Sequence, residues 1–339
     1  MSASFSKSFV QPLIGREDLT RDQAREALGQ ILTGSVDPTL IAAFLTAFTA
    51  KGETVDEMTG FVDAMMAVST PAEAPDGCVD IVGTGGDQLH SVNVSSMASF
   101  AVAGAGVRVA KHGNRSATSS VGSADVLEAL GINIDIGPET VRRCIEEAGF
   151  GFYFAPTYHS ALKYLSPIRR TLGFRTVFNI LGPLANPAQV RRSVIGVAQE
   201  AALAPMARVL AARGVDKAIL VRGADGLDEL SLGGPSTLVE VSGPTTHQYS
   251  IDAGEILERR HEVAELVGGD VSVNVAVFEA FLNGEQGAVF DVVCANAALA
   301  LVAADRASDL AEGFALASES VLSGSAARVL NAVREISNN

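Results

Sequence analysis

Residues 78–87 read Cys78-Val79-Asp80-Ile81-Val82-Gly83-Thr84-Gly85-Gly86-Asp87. The apolar run suits a short buried strand, and Gly83, Gly85 and Gly86 end it. An apolar helix begins soon after, near Val94, with Ser91, Asn93, Ser95 and Ser96 crowded into the turn. Glycines after a strand let backbone N–H groups approach an anion closely. The following helix N-terminus adds its own unpaired N–H groups and its dipole. A bare Gly-x-Gly-Gly would suit a plain tight turn; with the serine and asparagine cluster added, phosphate binding becomes the better reading. No Gly-Lys-Ser/Thr follows and the spacing is not Gly-x-Gly-x-x-Gly, so neither a nucleotide P-loop nor a dinucleotide fingerprint is present.

Downstream the same texture repeats. Short apolar runs over 78–82, 106–110, 150–154, 192–198 and 217–221 alternate with helical patterns over about 94–105, 123–130, 139–148 and 200–213. Such alternation predicts an α/β domain around a mostly parallel central sheet flanked by helices. A brief strand region over 238–241 and 248–251 suits an antiparallel pair, and from Val271 onward the chain reads as alanine-rich helix.

Upstream, the first 70 residues read as helices. Thr20-x-x-Gln23 has the form of a capping box, and Ala24, Ala27, Leu28, Ile31 and Leu32 follow at helical spacing. Asp37-Pro38 sets an N-cap before a proline at the first helical position. Thr54-x-x-Glu57 opens a third helix, with Phe61, Val62, Met65 and Met66 inward. The fold class expected is therefore α/β, with a small helical N-terminal domain before a larger α/β domain. The stretch 71–77, Pro-Ala-Glu-Ala-Pro-Asp-Gly, reads as a hinge between them.

Composition narrows the function classes. The 339 residues are 47% hydrophobic, enough for a sizeable core, and 25 Lys and Arg stand against 39 Asp and Glu, a net charge of −14. That sign disfavours non-specific binding to nucleic acid or to an anionic membrane. The longest nearly apolar stretch, 287–304, contains Asp291 and Asn296 and reads as a buried helix, not a membrane span. The N-terminal residues lack the apolar region of a signal peptide. Cys78, Cys144 and Cys294 are odd in number and far apart, which suits reduced thiols in the cytoplasm better than a disulfide framework or a zinc site.

Three further motifs carry chemistry. Lys111-His112-Gly113-Asn114-Arg115 follows the second strand, and the hydroxyl-rich 116–123 segment follows it. Cations at a strand's carboxyl end suit a polyanion in the crevice of an open sheet, although a solvated basic loop would look similar. Two successive anion-binding turns fit a ligand with two separated phosphate groups. Asp225-Gly226-Leu227-Asp228-Glu229 lies just past the fifth strand. Such carboxylates are commonly mere surface charge, but opposite a pyrophosphate they are candidate Mg²⁺ ligands. Finally, Arg169 and Arg170 precede Asn179-Ile-Leu-Gly182-Pro183, a pairing that can hold a carboxylate by a bidentate guanidinium, although helical arginine pairs usually face solvent.

GTGGD, the NVSS after it, KHGNR with GSAD behind it, the PIRRTLGFRTVFNILGPLANP block and GLDE stand in an order that resembles the anthranilate phosphoribosyltransferases, tryptophan-pathway enzymes related to the pyrimidine nucleoside phosphorylases. The resemblance covers nearly the whole chain. It implies transfer of the phosphoribosyl group of phosphoribosyl pyrophosphate to the amine of anthranilate, with Mg²⁺, two ions, as cofactor. It further implies a homodimer formed through a helical domain of residues 1–74, rejoined by about 165–185. Residues 75–164 and 186–339 then form the α/β domain.

Carried over position by position, the phosphoribosyl pyrophosphate site comprises Gly83, Thr84, Gly85, Gly86, Asp87, Ser91, Asn93, Val94, Ser95, Ser96, Lys111, His112, Gly113, Asn114, Arg115, Ser116, Ala117, Thr118, Ser119 and Ser123. Gly83, Asn114 and Arg169 match the anthranilate contacts, with His112, His159 and Pro183 lining the channel. Ser95, Asp228 and Glu229 match the metal positions. No general base is assigned, and His112 is a candidate. The chain departs from the family pattern at Gln88, where a Gly often stands, at Ser120 and Val121, which replace a common Lys-Ser, and at Arg222 in place of a His. Two other classes share parts of the pattern. A nucleoside phosphorylase would need a nucleobase site in place of the NILGPL block, and a nucleic-acid-binding paralogue should lose Asp228-Glu229 and carry a basic face.

Overall fold

The computed structural model of the chain describes residues 2–86, 89–115, 121–252, 254, 256–257 and 259–339. Among the described residues seven strands form one sheet: β1 (Val79–Gly83), β2 (Val109–Gly113), β3 (Phe150–Phe154), β4 (Arg192–Gly196), β5 (Lys217–Gly223), β6 (Pro235–Ser242) and β7 (Thr245–Asp252). Their spatial order is β3-β2-β1-β4-β5-β6-β7. The first five run parallel, and β6 and β7 fold back antiparallel at one edge. The fold is α/β: a small helical N-terminal region precedes a larger domain built on a mostly parallel sheet flanked by helices.

Strands β1 to β5 are buried along most of their length because both faces of that part of the sheet are covered, whereas β7 at the edge is mostly exposed. On β5, Ile219 and Val221 enter one core while Ala218 and Leu220 enter the other, the two-residue period of a strand. The first core is closed by the helices Val94–Gly104, Ala288–Ala303, Leu310–Leu322 and Ser325–Ser337. The second lies under the helix Glu200–Ala212 and runs on without a break into the N-terminal helices through Leu28, Phe44, Phe48 and Phe61. Leu165, Val177, Phe178, Leu181 and Leu184 join that same cluster, and the helix Ser166–Leu172 packs on the helix Pro38–Lys51.

The N-terminal helices begin where their caps place them. Thr20 and Gln23 form a reciprocal capping box on the helix Arg21–Leu32, and Asp37 Oδ1 accepts the Thr39 N–H at 2.8 Å ahead of Pro38. Thr54 and Glu57 form a second box on the helix Val55–Ala67. Glu57 does more than cap: fully buried, it also accepts the Leu19 N–H at 2.9 Å and pairs with Lys51 Nζ at 2.9 Å. The three cysteines are buried and unbridged. No described helix is long and apolar enough to cross a membrane.

One boundary differs from the sequence reading in a way that matters. The apolar pattern places the second strand over 106–110, with Lys111-His112-Gly113 as the loop beyond it. Instead Gly106 turns with φ +91°, and β2 runs from Val109 through Gly113. Lys111, His112 and Gly113 pair with Phe152, Tyr153 and Phe154 of β3. A lysine and a histidine read as loop because their burial is made possible only by partners on other elements.

Candidate active site

The sheet order fixes where a ligand can enter. From β1 the chain goes outward to β2 and β3, then returns to the other side of β1 for β4 and β5. Connections therefore leave the β1 and β4 ends in opposite directions, opening a crevice at their carboxyl ends. β1 stays paired with β4 as far as Gly83↔Gly196, yet its recorded register with β2 is the single pair Val79↔Val109. Side chains take over beyond it. Asp80 Oδ1 accepts the His112 N–H at 3.1 Å, and Lys111 Nζ donates to the Ile81 carbonyl and to Ser95 Oγ, the latter at 3.3 Å. Asn186 Nδ2 closes the set on Asp80 Oδ2 at 2.8 Å.

Burial dominates the electrostatics of these groups. It pushes the Asp80 carboxyl up to about 6, against the pull of Lys111. It pushes Lys111 down to about 8, with Asp80 and Glu229 opposing. His112 is pushed down to about 3 by burial and secondarily by its neighbour His159, whose ring centre lies 5.3 Å away. His159 is itself lowered by burial, and its Nε2 lies 2.8 Å from the Ala185 carbonyl oxygen. Both imidazoles are thus neutral at pH 7, and His112 Nε2 is buried without a hydrogen-bond partner among the described residues. A general base is poised near its working pH, so a group held near 3 is a poor candidate for that role.

The glycines are where side chains would collide. A Cβ on Gly83 would sit 2.5 Å from Asp228 Oδ2, and one on Gly196 would sit 1.6 Å from the Asp228 carbonyl oxygen. Both strand ends must therefore be bare for the loop after β5 to cross them. Gly85 and Gly86 adopt φ of +64° and +76°, which glycine alone adopts without strain. The Gly85 N–H donates to Asp228 Oδ2 at 2.7 Å, tying the glycine turn to the carboxylate loop. On the other side Arg175 Nη1 donates to the Gly86 carbonyl at 3.1 Å. Further along, Val92 N–H donates to the Leu266 carbonyl at 2.9 Å just before the helix Val94–Gly104 begins, with its N-terminus at the cleft.

These elements enclose a cleft of about 360 Å³. Every described residue carried over from the family pattern lines it: Gly83 to Gly86, Ser91, Asn93 to Ser96, Lys111 to Arg115, Ser123, His159, Arg169, Pro183, Asp228 and Glu229; Asp225 and Arg170, also singled out from the sequence, are not in its wall. Asp87 and 116–119, also singled out, lie outside the described residues, as do Gln88 and Ser120. The wall also holds Asn179, from the block after Arg169, and residues that sequence reasoning missed, among them Met65, Leu162 and Phe178. Arg175 stands in the cationic block read from the sequence, but its partner Gly86 was not legible, since the bond spans 89 positions and no local signal marks it.

The cations are not equivalent. Lys111 is spent on the interior. Arg115 pairs with Asp125 and Glu128, each at 2.9 Å, and stacks over Phe154. Arg169 makes no ion pair among the described residues; burial lowers its pKa, and its guanidinium lies 5.5 Å from the Phe178 ring centre. It is the cleft cation placed to receive a carboxylate. Arg222, at one of the departures from the family pattern, turns away to the Ala198 carbonyl at 3.1 Å.

Among the cleft residues, Asp228, Glu229 and Ser95 have hard-oxygen side chains that could hold a cation. Among the described residues no group of three or more His, Cys, Asp or Glu comes together. Two carboxylates and a hydroxyl, all hard oxygens, are too few for a cage. They do fit Mg²⁺, which keeps water and substrate phosphate in its remaining positions.

Comparison with known proteins bears on the whole chain. Residues 76–327 match the family model described as "Glycosyl transferase family, a/b domain", and residues 7–69 match "Glycosyl transferase family, helical bundle domain". The chain is 46% identical to an anthranilate phosphoribosyltransferase of Thermomicrobium roseum, covering 98% of this chain and 97% of that one. It is 45% identical to the enzyme of that name from Rhizobium meliloti, over 98% of each. Among solved structures, anthranilate phosphoribosyltransferase from Thermus thermophilus superposes with a TM-score of 0.93 at 39% identity, over 98% of this chain and 100% of that one. The Saccharomyces cerevisiae enzyme in complex with PRPP and Mg superposes at 0.90 and 26% identity, over 100% and 99%.

Proposed function

The chain belongs to the anthranilate phosphoribosyltransferase family of glycosyl transferases, and from that membership we propose how its cleft works. It is an enzyme that transfers the phosphoribosyl group of 5-phosphoribosyl 1-pyrophosphate to the amine of anthranilate, a step of tryptophan biosynthesis. The amine nitrogen attacks C1 of the ribose as the C1–O bond to pyrophosphate breaks. The bonding pair leaves with pyrophosphate, the nitrogen gives up one proton to water, and N-(5-phosphoribosyl)anthranilate forms with inversion.

The observation that carries this reading is that one cleft gathers a glycine turn, a carboxylate pair and an arginine unpaired among the described residues. Backbone N–H groups of the turn and of the helix after it hold the pyrophosphate. Arg169 takes the anthranilate carboxylate, with Asn114 and Gly83 beside it and His159 and Pro183 lining its path. An aromatic amine is neutral at pH 7, so attack needs placement more than deprotonation. His112 then serves as a neutral acceptor, its Nε2 open to an N–H of the amine. Asp228 and Glu229, with Ser95, hold Mg²⁺, two ions in this reading, which neutralises charge developing on the leaving pyrophosphate. The same reading joins 165–185 to the helical domain of 1–74, pairs two copies through that domain, and places the enzyme in the cytoplasm.

The test is turnover, followed as the loss of anthranilate fluorescence with phosphoribosyl pyrophosphate and Mg²⁺. Folded protein without turnover would sink the assignment. Arg169→Ala is expected to raise the anthranilate KM by roughly tenfold or more, the loss of a charge-assisted hydrogen bond. An unchanged anthranilate KM removes Arg169 from that role.

A further inference from the structure

We infer that Asn296 is a positioning residue for the carboxylate pair Asp228 and Glu229, acting through the backbone of Leu230; the inference rests on the metal-site reading above. Residues 224–234, between β5 and β6, have no regular structure. They must nonetheless hold Asp228 within 2.7 Å of the Gly85 N–H. Part of the support is local: Asp225 Oδ1 accepts the Leu227 N–H at 3.1 Å, and Ser236 Oγ accepts the Ser231 N–H at 2.9 Å. The support beside the carboxylates comes from 66 positions away.

Asn296 sits mid-helix in Ala288–Ala303, 1% exposed. Its Oδ1 accepts the Leu230 N–H at 2.8 Å, and its Nδ2 donates to the Leu230 carbonyl at 3.4 Å and to the Val292 carbonyl at 2.9 Å. One side-chain amide thus gives Leu230 the two bonds that a neighbouring strand would give. The N–H it holds belongs to the peptide joining Glu229 to Leu230, so the clamp orients the backbone from which the second carboxylate projects. Asparagine is a poor choice for this helix by propensity and by desolvation. An apolar residue there would leave two polar groups of fully buried Leu230 unpaired. The polar side chain is therefore explained by the loop it holds, not by the helix it occupies.

Asn296→Leu keeps the branched shape, in a larger side chain, and removes the clamp; Asn296→Ser keeps part of it in a smaller side chain. Mn²⁺ binding in the presence of phosphoribosyl pyrophosphate, read by electron paramagnetic resonance of the free ion, is expected to weaken roughly tenfold or more in Asn296→Leu and less in Asn296→Ser. The Mg²⁺ concentration for half-maximal turnover rises in parallel, while the anthranilate KM stays within about twofold. Val333→Ala, a core truncation on the helix Ser325–Ser337, controls for lost stability and leaves Mn²⁺ binding unchanged. Mn²⁺ binding by folded Asn296→Leu that matches the wild type overturns the inference. So does an equal loss toward metal and anthranilate, or failure of both variants to fold, since each marks Asn296 as core alone. Wild-type protein that neither binds Mn²⁺ with the pyrophosphate substrate nor turns over sinks the functional reading first, and the inference with it.

Discussion

His112 illustrates how burial can dominate the pH response of a residue. Its folded pKa is about 3 against the usual 6.5, chiefly through desolvation. As pH falls below 6.5 the unfolded chain takes up this proton and the native one does not, so stability is lost progressively from 6.5 down to 3. Asp80 acts in the opposite sense. Its folded pKa of about 6 lies above the usual 3.8, so between those values the native state protonates first and gains on acidification. The His112 shift is the larger, and the balance is a net acid loss. His112→Asn is expected to remove its part, shrinking the drop in stability between pH 7 and pH 4.5 by on the order of 2–3 kcal/mol. Chemical unfolding of both proteins at the two pH values measures it. Equal drops would mean that the imidazole is hydrated in the native state and that its burial has been overstated.

At the scale of elements, what is local in sequence was legible and what is distant was not. The caps at Thr20, Asp37 and Thr54 place helix starts within a residue, because each bond spans two or three positions. Alternating strand and helix gave the sheet, and the glycine, Lys-His and carboxylate motifs fell at strand ends while the Arg169 block lies on short helices between β3 and β4, so the described residues of the family pattern all reach one cleft. The end of β2 was not legible, since Lys111 is accommodated by Ile81 and Ser95, and His112 by Asp80, 30, 16 and 32 positions away. Nor were Met65, Leu162 and Phe178, because an apolar residue facing a cleft reads like one facing a core. Glu57 lies between these cases: its cap was legible and its buried ion pair was not. Glu57→Ala leaves Lys51 Nζ, which is 4% exposed by side chain, with the exposed Asp18 as its remaining ion-pair partner among the described residues, and orphans the Leu19 N–H. Its expected cost is about 2–4 kcal/mol, against about 1 kcal/mol for the exposed cap in Thr20→Ala. Thermal unfolding of the two variants side by side checks this, and similar costs would show that the buried pair adds nothing beyond its cap.

Across the whole molecule, the cleft is made by two bodies of structure meeting. The glycine turn and the carboxylate loop hang from the sheet, while Arg169 and Arg175 come from the 165–185 segment packed among the N-terminal helices. Arg169 lines the cleft, but Arg175 reaches the glycine turn itself, through the Gly86 carbonyl at 3.1 Å. A side chain on Gly86 would strike it, since a Cβ there falls 2.6 Å from Nη1. Arg175 therefore couples the helical side to the turn proposed to hold pyrophosphate, and its loss should be felt by that substrate more than by anthranilate. Arg175→Ala is expected to raise the KM for phosphoribosyl pyrophosphate by roughly tenfold, about 1.4 kcal/mol of lost positioning, with the anthranilate KM changed much less. Arg175→Lys should fall between, because an ammonium can reach one carbonyl but cannot reproduce the planar guanidinium. Steady-state rates with each substrate varied in turn separate the two constants. A rise confined to anthranilate would place Arg175 on the far side of the cleft's division of labour, serving the arginine beside it instead of the turn across from it.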